Sequence, residues 1–542
     1  MPAPLSPHPH LRAPRGPVVL CILDGIGVGG GGEDDAVATA RTPVLDALGA
    51  AHPSRTLRAH GRAVGLPSDG DMGNSEVGHN ALGAGRVFAQ GAKRVDQAIA
   101  AGSIWRTDVW ESLCRGRTLH LLGLVSDGNV HSHIDHVDAI IAQAATDGVS
   151  RLRVHVLTDG RDVASRSALT WIEPLQRRLA AHREAGRDYR IASGGGRMHI
   201  TMDRYEADWQ MVARGWACHV HGEGRAFPDA ATAIRTLYEE DPANDDQSLP
   251  AFVITEDGSP VGRIASGDSV LFFNFRGDRA IEITRAFEEE ELTAFDRGAR
   301  PEVTYAGMMQ YDGDLHLPSR YLVEPPAIDR TVGAFLAMGG KRTFACSETQ
   351  KFGHVTFFFN GNRSGVLDDR LETYLEIPSD TLPFEERPWM KAAEITDACV
   401  GAIRSGEYDH VRLNLANGDM VGHTGVLEAA RIAVEAVDMA VGRLWRATRA
   451  AGGVLLVTAD HGNADEMYLR SKSGEVQRDA AGQVLAKTSH TLAPVPLIAC
   501  AAQGALRLRD VPEAGLASVG TTVLELCGLA APDDYDQGLL SP

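Results

Sequence analysis

Cysteine is sparse and unpatterned in this 542-residue chain. Its seven cysteines (Cys21, Cys114, Cys218, Cys346, Cys399, Cys500 and Cys527) include no C-x-x-C pair. That absence excludes a zinc ribbon and a thioredoxin-type motif, and an odd count without framework spacing fits free thiols in a reducing cytoplasm. No apolar run approaches the roughly 18 residues of a membrane-spanning helix. The first 17 residues, dense in Pro and His, lack the apolar segment of a signal peptide and read as a disordered arm. Basic residues are outnumbered, 53 Lys and Arg against 72 Asp and Glu, for a formal net charge of −19. A broad nucleic-acid or anionic-membrane face needs clustered positive charge, so neither partner is expected. A local arginine cluster for a small anion is compatible with that balance.

Apolar residues make up 44% of the chain and charged residues 23%, ordinary values for a globular protein. The length exceeds what one hydrophobic core covers, so at least two domains are expected. Short apolar runs at Val18–Leu23, Leu119–Val125, Leu152–Leu157, Ser269–Phe275, Val454–Thr458 and Val495–Ala499 read as strands. Val137–Ala145 and Leu427–Ala447 read as amphipathic helices. Strand–helix alternation implies an α/β fold with largely parallel sheets. Linkers are expected near residues 88–92 and 320–326, the latter at Leu322-Val323-Glu324-Pro325-Pro326. No internal repeat or long low-complexity segment is evident.

The run G-G-V-L-L-V-T-A-D-H-G-N stops at Asp460 and His461. In open α/β sheets ligands sit at the carboxyl ends of strands, so this pair is placed for chemistry. Asp419 and His423 are spaced i, i+4, which puts both on one face of a helix. His490 lies in K-T-S-H-T, before the strand at Val495. Carboxylate–imidazole sets of this kind suit Mn²⁺, Co²⁺ or Zn²⁺ better than Ca²⁺, and two such ions can activate an oxygen nucleophile. Ser75, in G-N-S-E-V-G-H, is the candidate nucleophile, although a serine there also fits a plain helix N-cap. Asp24 directly follows the first strand. Gly25, Gly27 and Gly30 satisfy G-x-G-x-x-G, but Glu33, Asp34 and Asp35 follow, so no helix N-terminus is offered to a pyrophosphate. The middle of the chain differs. Arg161, Arg197, Arg204, Arg276 and Arg279 each sit in a turn-like stretch rich in Gly or Asp, and guanidinium forks grip phosphate and carboxylate. In V-H-S-H-I-D-H, His131 reads as an anion-binding or proton-transfer residue rather than a metal ligand.

Taken together and in order, these motifs resemble the cofactor-independent phosphoglycerate mutases of the alkaline phosphatase superfamily. The resemblance runs from about Val18 to Leu526 through L-D-G, G-N-S-E-V-G-H, S-D-G-N-V-H-S-H, D-G-R-D, M-D-R, N-F-R-G-D-R-A, S-E-T-Q-K-F-G-H-V-T-F-F-F-N-G, D-M-V-G-H, T-A-D-H-G-N and T-S-H-T. It implies an alkaline phosphatase-like doubly wound domain, residues 1–89 and 325–542, with an inserted α/β transferase domain at 90–324. It implies that Ser75 carries the phosphoryl group, that Asp24, Ser75, Asp460 and His461 surround one metal, and that Asp419, His423 and His490 hold the other. His131, Arg161, Asp162, Arg197, Arg204, Arg276, Arg279 and Lys351 would bind substrate, with Asp162 and Lys351 also taking part in the chemistry. The expected cofactors are two divalent ions, Mn²⁺ foremost with Co²⁺ or Mg²⁺ as alternatives, and no 2,3-bisphosphoglycerate. A monomeric cytoplasmic enzyme of glycolysis and gluconeogenesis follows, whose domains close over the phosphoserine. The rivals are a phosphatase, phosphodiesterase or phosphopentomutase on the same fold, and a silent metal- and phosphoglycerate-binding protein. A polar stretch near Ser471–Leu485 is longer than in many bacterial members, as in the plant and trypanosomatid branch.

Overall fold

A computed structural model describes residues 4–541, apart from 67–68, 89–90, 204–207, 312–315, 325–327, 472–473, 479–480 and 505. The chain divides into two compact units, Met1–Gln90 with Ala327–Pro542, and Gly91–Pro326. Parts of both expected linkers, 89–90 and Pro325-Pro326, lie outside the described residues. No described helix is long and apolar enough to cross a membrane.

The first unit is built on a seven-stranded sheet. Its order is Glu372–Ile377, Thr343–Glu348, His410–Leu415, Val18–Leu23, Val454–Thr458, Val495–Ala501 and Ser54–Leu57. The first five strands are parallel, and Val495–Ala501 is antiparallel to both of its neighbours, so Ser54–Leu57 again runs with the first five. Val18–Leu23 is central and buried along its whole length, which is why it reads as an unbroken apolar run rather than an alternating one. The 25-residue helix Leu427–Ala451 covers the sheet and ends at Gly452, whose φ of 77° suits a left-handed cap. The parallel strands finish at the same edge. Asp24, Lys351, the short helix Asn417–Gly422 and Asp460-His461 therefore all follow carboxyl ends.

The second unit carries a separate sheet, ordered Tyr321–Val323, Thr304–Met309, Ser269–Phe272, Leu119–Leu124, Arg151–Thr158, Asp188–Gly196, Phe252–Glu256 and Arg225–Phe227, with Ser259–Pro260 off this path. The first six strands are parallel. Their carboxyl ends carry His131, the Asp159–Asp162 turn, Arg197 and the Asn274–Arg279 segment.

Three expectations need correction. The strand expected over Ser269–Phe275 stops at Phe272, because the chain turns there toward the arginine-bearing segment. The described part of the N-terminal arm is not loose: Pro7 bridges Leu529, the His8 amide donates to Gly528 O at 2.8 Å, and Leu11 is buried. Backbone pairing and one apolar anchor hold an arm whose composition suggests disorder. A short repetition also went unread. Arg470 and Arg478 each open R-x-x-x-G-x-V, and each donates through Nη1 to the glycine carbonyl four residues on, at 2.9 and 3.0 Å. Isolated bridges pair Arg470 with Val476 and Arg478 with Val484, and Arg470 also binds buried Asp34.

Candidate functional site

Ser75 opens the helix Ser75–Ala84, and Asn74, not Ser75, caps it by accepting from the Val77 amide. Gly78 is needed here: a Cβ at that position would meet Asp460 O at 2.7 Å. The glycine lets the serine helix lie against the Asp460-His461 turn. Gly25 does the same on the other side. Its φ is +75°, and a Cβ would meet the Asp419 amide at 2.5 Å. Gly25 and Gly27 thus serve close packing against Asp419 and Asp465, whereas a Cβ at Gly30 would meet no described residue.

The Ser75 hydroxyl reaches Asp24 Oδ1 at 3.3 Å and His461 Nε2 at 3.0 Å, and it accepts from Lys351 Nζ. Lys351 also donates to Asp24 Oδ1 at 3.0 Å and to Asp419 Oδ2 at 2.8 Å. Two groups present ligand atoms close enough to share a cation: Asp24, Asp460 and His461, and Asp419, His461 and His490. His461 belongs to both. His423 Nε2 lies 2.9 Å from Asp419 Oδ1 and 3.1 Å from His490 Nε2. All these side chains are buried or nearly so.

These residues suit divalent metal ions on two counts. First, each imidazole is fixed by a carbonyl at Nδ1: Thr488 O for His423 at 2.5 Å, Gly73 O for His490 at 2.8 Å, and Gly462 O for His461 at 3.2 Å. Carbonyls only accept, so Nδ1 carries a proton and every Nε2 faces inward, where a bound metal would displace any second proton. Second, the cluster carries excess negative charge. Asp460 Oδ2 is buried without a hydrogen bond among the described residues, because nearby His79 Nδ1 gives its proton to Ser75 O at 2.8 Å. Burial opposes a charge on His461, but Asp460, Asp24 and Asp419 outweigh it and push the imidazole up to about 9. Asp419 is likewise held well below the usual carboxylate range: burial opposes this, and His423 and Lys351 prevail.

Several supporting residues escaped the sequence reading. Asn414 donates to Asp24 Oδ2 at 2.6 Å, Asn463 to Asp419 Oδ1 at 3.0 Å, and His79 sits 3.3 Å from Asp460. His79 and Asn463 stand inside the G-N-S-E-V-G-H and D-H-G-N motifs, so motif membership was the available signal. Asn414, the penultimate residue of the buried strand His410–Leu415, carried none.

In the second unit, buried Arg197 donates to Asp159 at 2.8 Å and also to Asp162. Burial disfavours its charge, but the two carboxylates outweigh that and keep the guanidinium protonated. Arg276 pairs with Asp278 at 2.9 Å, and Arg279 donates to Met202 O at 2.8 Å. His131 is buried among these groups. Burial first, then Arg197, Arg276, Arg279 and Arg161, hold it well below its ordinary value, so the ring is neutral. His131 Nδ1 and Arg197 Nε are buried with no hydrogen-bond partner among the described residues. Unmet polar groups in a cationic setting suit a small anion. Arg204 lies outside the described residues.

The mostly parallel sheet and its paired, inward-facing ligand groups define a metal-dependent enzyme class, and the metalloenzyme superfamily model matches residues 16–531. A 2,3-bisphosphoglycerate-independent phosphoglycerate mutase of Trypanosoma brucei brucei is 53% identical over 98% of both chains. A probable enzyme of the same name from Arabidopsis thaliana is 51% identical over 99% of this chain and 97% of its own. The crystal structure of Leishmania mexicana phosphoglycerate mutase at low cobalt concentration superposes with a TM-score of 0.96 at 50% identity, covering 99% of this chain and 100% of that one. The chain belongs to the 2,3-bisphosphoglycerate-independent phosphoglycerate mutase family.

Proposed function

We propose that this enzyme interconverts 3-phosphoglycerate and 2-phosphoglycerate through a phosphoserine on Ser75, without 2,3-bisphosphoglycerate, as a step of glycolysis and gluconeogenesis. The observation that carries the proposal is the Ser75 hydroxyl, set at a helix N-terminus against Lys351, Asp24 and His461 in a chain of that family.

The first unit takes the phosphatase-like role. Ser75 Oγ attacks phosphorus, with Asp24 Oδ1 in reach of its proton. As the Oγ–P bond forms, the glycerate O–P bond breaks. The Lys351 ammonium and the amides opening the Ser75 helix stabilise the equatorial oxygens. Two divalent ions, one held by Asp24, Ser75, Asp460 and His461 and one by Asp419, His423 and His490, would acidify the serine hydroxyl and neutralise phosphoryl charge. Mn²⁺ is the expected ion, with Co²⁺ or Mg²⁺ as substitutes.

The second unit takes the transferase role. Arg161, Arg197, Arg204, Arg276 and Arg279 hold the freed glycerate by its carboxylate. Asp162, with neutral His131 beside it, returns a proton to the departing alkoxide and takes one from the hydroxyl that attacks next. That hydroxyl displaces Ser75 from phosphorus, and the serine regains its proton. A phosphatase need not hold its leaving group, so the unmet donors around His131 favour the mutase. We further infer that the enzyme works in the cytoplasm as a monomer.

Phosphorus NMR of 3-phosphoglycerate conversion tests the reading, with no bisphosphate added, before and after chelation. Metal-dependent formation of 2-phosphoglycerate is expected. Release of inorganic phosphate instead moves the enzyme to the phosphatase rival, and binding without turnover under any divalent ion moves it to the silent binder.

A further inference from the structure

A chain of buried polar side chains crosses the sheet of the second unit, outside the arginine cluster. His120 Nε2 lies 3.3 Å from Asp268 Oδ2, and His120 Nδ1 lies 2.9 Å from His155 Nε2. His155 Nδ1 is 2.7 Å from Ser193 Oγ, which is 2.8 Å from His219 Nδ1. His219 Nε2 is 3.0 Å from Thr201 Oγ1. All six residues are buried, and they come from three neighbouring parallel strands and three other segments. Polar groups in a core this dry are costly unless each is satisfied, so the protons in the chain must be ordered.

Their order can be deduced. Burial works against the Asp268 carboxylate, but the bonds from His120 and from the Ala265 amide, 2.9 Å away, keep it ionised. A carboxylate only accepts. His120 must then donate from Nε2, which leaves its Nδ1 as acceptor. His155 donates to it from Nε2 and accepts at Nδ1 from the Ser193 hydroxyl. Ser193 accepts from His219 Nδ1, and His219 accepts at Nε2 from the Thr201 hydroxyl. Each proton points toward Asp268. Burial holds all three imidazoles below their ordinary value, His219 down to about 3, so none carries a second proton to break the sequence.

The far end of the chain explains a strained residue. Thr201 is β-branched yet adopts φ 72°, a conformation rare for such a residue unless its surroundings impose it. Its surroundings are built for it. The Thr201 amide donates to Met211 O at 2.9 Å, and Gly215 leaves room, since a Cβ there would meet Thr201 Oγ1 at 2.2 Å. Thr201 joins Arg197, four residues earlier, to Met202, whose carbonyl receives Arg279 at 2.8 Å.

We propose that Asp268, His120, His155, Ser193, His219 and Thr201 form one directional hydrogen-bond chain, polarised by the Asp268 carboxylate, that positions the segment Arg197–Met202 for glycerate binding. These are positioning residues, and none needs to touch substrate. Reversing the chain would turn the Thr201 hydroxyl from donor to acceptor.

The test uses the full-length enzyme with ¹⁵N-labelled histidine. Wild type is expected to show His120 and His155 protonated at Nε2 and His219 at Nδ1. In Asp268→Asn the carboxamide can donate as well as accept, and His219 is expected to shift toward the Nε2–H tautomer. His219 already at Nε2–H in wild type, or unmoved in Asp268→Asn, overturns the directional chain. Thr201→Val keeps the shape and removes the donor. Leaving His219 Nε2 unmet should raise KM for 3-phosphoglycerate about tenfold with kcat near wild type. Hydrogen exchange across residues 197–203 should quicken, and Thr201→Ser should restore both. Unchanged KM and exchange in Thr201→Val, or a loss confined to kcat, overturns the positioning role. The KM arm rests on the mutase reading. If wild type does not isomerise phosphoglycerate, that reading fails by itself, while the tautomers and exchange still decide the chain.

Discussion

Glu348 ends a strand one helical turn before Lys351, and its carboxyl is 1% exposed. Burial, only partly opposed by the Ser379 hydroxyl at 2.9 Å and by Lys391, pushes it from 4.5 up to about 7. Its other oxygen, Oε1, has no hydrogen-bond partner among the described residues. An acid whose folded value is raised binds its proton more tightly when folded. The stabilisation is therefore complete below the unfolded value of 4.5 and is lost as pH rises through about 7. A rise from 4.5 to about 7 corresponds to roughly 3 kcal/mol, at about 1.4 kcal/mol per pH unit. Glu348→Gln removes the ionisation and keeps the shape. At about pH 4, below the unfolded value of 4.5, the side chain is largely neutral in both states and the two proteins should unfold nearly alike. Between pH 4.5 and about 7 the variant should gain progressively, levelling off at roughly 3 kcal/mol above about pH 7.5. Calorimetric unfolding of the full chain across this range, read as the difference between variant and wild type, measures the effect. A difference that stays constant from about pH 4 to about pH 8, or a variant that loses stability relative to wild type as pH rises, would refute the argument.

Further outcomes concern the site. Ser75→Ala should abolish isomerisation while retaining substrate binding by calorimetry; wild-type turnover by this variant rules out the phosphoserine route. Asn463→Ala removes the amide that orients Asp419 and should weaken metal affinity roughly 10- to 100-fold, measured by titrating chelator-stripped enzyme. Arg197→Lys cannot span Asp159 and Asp162 while presenting Nε, so KM should rise about tenfold or more, since a point charge does not replace a fork. An unchanged KM would remove Arg197 from glycerate binding.

The elements show where sequence reading works. Val454–Thr458 and Val18–Leu23 fall where the apolar runs place them, because strands buried on both faces must be apolar throughout. The helix expected over Leu427–Ala447 continues to Ala451, since its last turn is polar and only the glycine cap marks the end. The N-terminal arm was misread because its anchor, residues 528–530, is remote in sequence. The i, i+4 spacing of Asp419 and His423 and the adjacency of Asp460 and His461 were legible as pairs. Asn414 was not, because an amide near a strand end has no distinguishing local pattern.

What the amino-acid sequence alone determined is the inventory: an α/β chain, a serine between glycines, two carboxylate–imidazole pairs and a set of arginines in turns, each a matter of residue type and short spacing. What only the tertiary structure decided is how these groups are shared and oriented. His461 stands in both ligand groups because parallel strands far apart in sequence end at one edge of one sheet. The histidine tautomers follow from which backbone carbonyls the fold sets against Nδ1. The direction of the Asp268 chain follows from one carboxylate reaching a histidine 148 positions away. Spacing along a chain sets which groups are neighbours on a single helix or turn. Proton positions and shared ligands depend on contacts between segments, and packing creates those.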